Sequence, residues 1–216
     1  MENASKALTI AGSVFLAILI ITVLVITFRK IGTWKQTEAN TEGEQTIIQY
    51  NKGIESFNKA GLYGSEILSL ANLIDDYNTR QADQKGYKAI NLTIYIEQIN
   101  DAKYIKKNYT NYKNLINDFK KLETQVNTLQ NTKICGESLK KLAGLTTENL
   151  RDYINKYNAL NSKSYTYEQV EQEIEKYQAL NSEMQVFKNK RFKLPEVKYD
   201  KLTGRVISMM FKEVGI

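Results

Sequence analysis

Ala89-Ile-Asn-Leu-Thr-Ile-Tyr-Ile96 alternates without a break, with Ile90, Leu92, Ile94 and Ile96 on one side and Asn91, Thr93 and Tyr95 on the other. A period of two in β-branched and aromatic residues is the pattern of a strand that buries one face. The patterned segments between residues 101 and 182 have helical spacing. This octapeptide therefore decides for the α+β class over a helical bundle, and its apolar face calls for sheet partners and a covering layer.

The expected partners lie at the C-terminus. Gln185 to Leu194 and Val197 to Tyr199 read as extended, followed by a turn at Asp200-Lys-Leu-Thr-Gly204 and a strand over Arg205 to Lys212. Gly204 supplies the positive φ that a four- or five-residue hairpin loop requires. The resulting expectation is a small antiparallel sheet built from the strand near 89–96 and a C-terminal hairpin over 185–212.

Between those strands, residues 101–182 read as a helical insertion. Tyr112, Leu115, Phe119, Leu122, Val126 and Leu129 recur alternately at three and four positions, which aligns all six on one helix seam able to pack in a hairpin or coiled coil. Helices are predicted over Thr147–Leu160 and Tyr167–Leu180, the second opened by a capping box of Thr166 and Gln169. Both end in one phrase, Ile-x-Lys-Tyr-x-Ala-Leu-Asn-Ser, at Ile154–Ser162 and at Ile174–Ser182. Upstream, Ser65 is the expected N-cap of a helix carrying Ile67, Leu70, Ala71, Ile74 and Tyr77 on one face.

The N-terminus sets location. Leu8 to Phe28 holds no charged side chain and lies between Lys6 and the pair Arg29-Lys30. As a helix it would cover about 30 Å, the thickness of a bilayer's hydrocarbon core. A cleaved signal peptide has a shorter apolar core and a small-x-small site, whereas this run closes on Val25, Ile26 and Phe28. The segment 1–35 is thus read as a retained anchor, with Trp34 as an interfacial residue, and 36–216 as the domain it tethers. Gly12 could let a second helix approach closely. Lys6 precedes the span while Arg29, Lys30 and Lys35 follow it, a bias that on the positive-inside rule puts the domain in the cytoplasm.

Composition narrows the chemistry. The chain has no His and one cysteine, Cys135, so it forms no internal disulfide and cannot assemble the usual zinc or iron ligand sets. From Gln36 onward 26 Lys and Arg stand against 23 Asp and Glu, too even a balance to indicate nucleic acid. No phosphate-binding loop is present, and Asp75-Asp76 and Glu171/Glu175 read as solvated helix faces. The expectation is of no catalytic residue, no cofactor and no metal.

The strongest polar signal is the tail, where eight cations face Glu196, Asp200 and Glu213. Lys188, Lys190, Arg191, Lys193, Lys198 and Arg205 form a candidate patch for an anionic partner or lipid. Lys-rich edge strands that resist edge-to-edge aggregation would leave the same pattern.

The opening Met1-Glu-Asn-Ala-Ser-Lys-Ala-Leu8, the run beginning Thr9-Ile-Ala-Gly12, the Gly64-Ser65 helix start and the closing Gly204-Arg-Val-x-x-Met209 resemble uncharacterised single-anchor proteins of clostridial-type bacteria. The layout is also distantly similar to type IV pilin-like proteins, which pack a membrane-embedded N-terminal helix on an antiparallel sheet displayed outside. The likeness covers the two ends of the chain and leaves 101–182 unmatched. Gly12 stands where bacterial pilins keep a glutamate. The resemblance implies a non-enzymatic, single-pass surface protein acting as a structural or interaction subunit, with membrane lipid and a protein partner or a second copy as its contacts. The alternative is a cytoplasm-facing tether that binds a partner through its helical insertion and its basic strands.

Overall fold

The computed structural model describes residue 45 and residues 48–82 and 87–215. The expected anchor with Leu8, Gly12, Phe28, Arg29, Lys30 and Trp34 lies outside them. The chain divides into two compact units at Gln49/Tyr50, and the second, Tyr50–Ile216, carries the fold.

Its α+β class is as the alternating octapeptide implies. In chain order the elements are β1 (Leu62–Tyr63), α1 (Gly64–Tyr77), a π-helical turn (Asn78–Ala82), β2 (Asn91–Tyr95), β3 (Asn108–Tyr109), α2 (Tyr112–Asn131), β4 (Lys133–Ile134), β5 (Glu137–Ser138), α3 (Leu139–Leu142), α4 (Thr147–Asn161), α5 (Tyr167–Asn189), β6 (Arg191–Phe192), β7 (Glu196–Tyr199) and β8 (Val206–Lys212). The main sheet has the order β3-β2-β8-β7.

Its central pair corrects the expectation of an antiparallel sheet. β2 and β8 run parallel, Leu92 beside Met209 and Ile94 beside Phe211, while β2–β3 and β7–β8 are antiparallel. Parallel neighbours require a crossover connection, usually helical, and the helices between residues 96 and 205 supply it. Leu92, Ile94, Met209 and Phe211 are buried under α1, α2 and α5; Thr93, Tyr95, Met210 and Lys212 on the other face are half-buried.

A second correction concerns Gln185–Leu194, expected as a strand. α5 continues to Asn189, because Tyr177, Met184 and Phe187 extend its buried helical face and no Gly or Pro intervenes before Pro195. Only Arg191–Phe192 is extended; it pairs with Leu62–Tyr63, and Phe192 also bridges to Glu213. α1 begins at Gly64, not after a Ser65 cap, with the Tyr63 N–H donating to Glu66 Oε2 at 2.8 Å.

The region 101–182 is divided between two cores. Tyr112, Leu115, Phe119, Leu122 and Val126 of the seam join Leu92, Ile94, Phe187 and Phe211 in the main one. Each buried apolar side chain contributes about 1.5–3 kcal/mol of gross stabilisation, so the seam is a structural face occupied by its own chain. Cys135, Leu139, Leu142, Leu150, Ile154, Val170 and Ile174 form a second core, with Leu129 packed against both. α4 and the first half of α5 thus form a helical hairpin with a small core of its own. The repeated phrase ends differently in its two settings. α4 stops at Asn161, with Ser162 left-handed at φ 50°, whereas α5 runs through Leu180-Asn-Ser182 because Met184 and Phe187 still have a core to enter.

Candidate interaction surfaces

Buried polar groups in this body hold chain segments together. Asn78, in the π-helical turn, donates to the Ile90 carbonyl and accepts the Ile90 N–H at 2.9 and 2.8 Å, and also donates to Tyr112 Oη at 2.9 Å. The Glu183 carboxylate accepts the N–H groups of Lys103, Tyr104 and Ile105 at 3.0, 2.7 and 2.6 Å. Glu213 pairs with Lys190 at 2.6 Å and accepts the Glu97 N–H at 2.7 Å. These groups are spent on architecture.

The cationic candidates are engaged in different ways. Lys188 lies over the Phe119 ring, 5.4 Å from its centroid, and Arg191 stacks on Tyr63 at 4.4 Å. Lys190 is largely buried with its Glu213 partner, which neutralises it for any outside anion. The Lys193 N–H donates to the Lys212 carbonyl. Lys198 and Arg205 sit apart, flanking the β7–β8 turn. β7 is itself a four-residue edge strand with a register shift at Lys198/Tyr199, a device that blunts edge pairing.

That turn is a preformed structure. Asp200 Oδ1 accepts the N–H groups of Leu202 and Thr203 at 2.8 and 3.1 Å, its carbonyl accepts the Gly204 N–H at 2.8 Å, and its own N–H donates to the Arg205 carbonyl at 2.7 Å. Lys88 pairs with the Asp200 carboxylate, and together with the Leu202 and Thr203 N–H groups it holds the carboxyl down at about 2. Gly204 takes φ 66°, as the turn demands. At the tip Leu202 is 93% exposed. Below it lies a cavity of about 210 Å³ lined by Tyr77, Tyr87, Lys88, Thr203 and Arg205 among others, with the Arg205 guanidinium 5.6 Å from the Tyr87 ring centroid.

The connection between α4 and α5 is built in a similar way. The Asn158 side chain donates to the Tyr165 carbonyl at 2.8 Å and accepts the Tyr165 N–H at 3.1 Å, closing the loop, and the rings of Tyr157 and Tyr165 meet at 6.0 Å. Thr166 and Gln169 form the expected capping box on α5. Leu160, beside this loop, is 85% exposed, and Tyr165 is also exposed.

Three of the four paired acids are engaged locally. Asp76 accepts from Tyr50 and pairs with Arg80, Asp75 with Lys113, and Glu171 accepts from Tyr167. Among the described residues no group of three or more Cys, Asp or Glu is placed to hold a metal, and no helix is long and apolar enough to cross a membrane. No protein-family model, no curated protein and no solved structure matches the chain.

Proposed function

We propose that this protein is a non-enzymatic, membrane-anchored interaction subunit, held by the apolar run Leu8–Phe28 with its α+β body displayed on the outer side, and that the α4–α5 helical hairpin is the arm it offers to a protein partner. The anchor is supported by the charge-free run and its flanking cations. The outer side is supported by the resemblance at the two ends of the chain.

One observation carries the partner reading. The loop at the end of the arm is closed by the double Asn158–Tyr165 hydrogen bond, and Leu160, in the last turn of α4 beside it, is exposed. A helix end held in this way that presents an apolar side chain gives away little ordering entropy on association. The arm also stands off from the other end of the body. α2 starts at Tyr112, hydrogen-bonded to Asn78, and after 20 residues, about 30 Å, reaches the second core.

The cytoplasm-facing alternative draws less support, since a partner helix would need the Tyr112–Leu129 seam that the main core already fills.

Photo-crosslinking in native membranes tests the arm. A benzophenone amino acid at position 160 is expected to give a discrete adduct, and one at the exposed Lys120 none. Equal or absent adducts at both positions would overturn the arm as the binding element.

A further inference from the structure

The chain enters the body beside the β7–β8 turn. Asn51 Oδ1 accepts the Val206 N–H at 2.9 Å, and Tyr50 contacts Tyr77, whose ring lines the cavity under Leu202. Residues 29–49 separate this point from Phe28 in sequence. If Leu8–Phe28 lies in a bilayer, the body is tethered by the end that carries the turn.

From this juxtaposition we infer that the Asp200–Gly204 turn is a lipid-contacting tip: Leu202 enters the interfacial zone of the membrane that holds the chain, while Lys198, Lys201 and Arg205 meet anionic phospholipid headgroups. The inference rests on the anchor reading proposed above.

Three properties support it. Leu202 is almost fully exposed although the turn is ordered by three hydrogen bonds to Asp200, so its position is not that of a floppy loop. The outward charge of the turn is positive, because its one acid, Asp200, points inward to Lys88 and the backbone and is 5% exposed. The cavity beside it is lined by Arg205 and Thr203, while Asp200 at its wall is paired with Lys88, so the Arg205 guanidinium is the cation there left to meet a phosphodiester. Each cation close to an anionic leaflet strengthens such a contact about fivefold.

The test uses the full chain with Leu202→Cys, labelled with an environment-sensitive NBD group and reconstituted into vesicles of phosphatidylcholine mixed with phosphatidylglycerol. Cys135 is buried, so unsubstituted protein gives the labelling blank. The probe is expected to shift to the blue and to be quenched by headgroup-proximal nitroxide lipid, whereas the same probe at Leu160→Cys stays aqueous. Lys198→Glu with Lys201→Glu, both at exposed positions, is expected to reduce quenching at least fivefold, as is omission of phosphatidylglycerol. An unquenched probe at 202 in chains that still float with the vesicles after carbonate washing overturns the tip and leaves the anchor standing, as does quenching that is equal at 160 and 202 or indifferent to lipid charge. A chain stripped from the vesicles by carbonate overturns the anchor itself and the inference with it.

Discussion

Glu183 and Ile105 meet across 78 positions of sequence, the carboxylate of α5 accepting the Ile105 N–H at 2.6 Å. With the Lys103 and Tyr104 N–H groups on the same carboxylate, the connection from β2 to β3 is pinned to the last helix. Three N–H donors converging on a buried anion replace a turn of regular structure.

Removing that anion should free the connection. Glu183→Ala leaves the buried Ile105 N–H and the partly buried Lys103 and Tyr104 N–H groups without their acceptor, and hydrogen bonds to charged groups are worth about 1.5–3 kcal/mol each before relaxation. We expect a loss of about 2–4 kcal/mol in urea unfolding followed by circular dichroism. Glu183→Gln, which presents an amide N–H to donors, should recover only part of it. A loss under about 0.5 kcal/mol for Glu183→Ala would contradict the role assigned here.

Two glycines should respond for different reasons. A Cβ on Gly64 would stand 2.0 Å from the Phe187 carbonyl oxygen, where α1 starts against the end of α5. Gly64→Ala should therefore cost roughly 3 kcal/mol or prevent folding. Gly204 has φ 66° and nothing within 4 Å of its would-be Cβ, so Gly204→Ala should cost about 1 kcal/mol and Gly204→Asn less. Equal costs at the two sites, read from the same unfolding curves, would contradict this assignment.

The strand at 89–96 was legible because Leu92 and Ile94 alternate with polar neighbours. Its partner was not, since nothing in AINLTIYI distinguishes a parallel neighbour from an antiparallel one. That choice is made by where the helical crossover delivers β8. Gln185–Leu194 misled for a related reason. It reads as extended by itself, but Met184 and Phe187 lie in helical phase with Ile174 and Tyr177, and burial in the main core keeps the helix going to Asn189. The capping box at Thr166 was read correctly because it is local. The lysines and arginines of the tail could be counted but not placed, because whether each meets a ring, a carboxylate or solvent depends on residues as distant as Tyr63 and Glu213.

The β7–β8 turn should weaken in acid over a defined window. The Asp200 carboxyl is held down at about 2 by Lys88 and then by the Leu202 and Thr203 N–H groups, against about 3.9 in an unfolded chain. A depressed acid stabilises the fold above its unfolded value and loses that contribution as pH falls through its folded one. The amide shifts of Leu202 and Thr203 in ¹H–¹⁵N spectra should therefore hold constant above pH about 3.5 and move as pH falls through about 2, while the stability contribution of the group declines between about 4 and 2. In Asp200→Asn that transition should be absent; its persistence would assign it to another acid.

Cys135 is predicted to be inert in the folded protein. Its thiol is buried in the second core and burial pushes its pKa up. At pH 8 its reaction with a thiol reagent should be roughly a hundredfold or more slower than in urea. Rapid modification without denaturant would mean that the helical hairpin opens readily.

The displayed orientation of the body is tested most directly by labelling Lys120→Cys, exposed and away from the proposed arm, on intact cells with a membrane-impermeant maleimide, the unsubstituted chain serving as blank because its one thiol is buried. A membrane-held body on the outer side predicts labelling of intact cells equal to that after lysis. Labelling that appears only after lysis would contradict it.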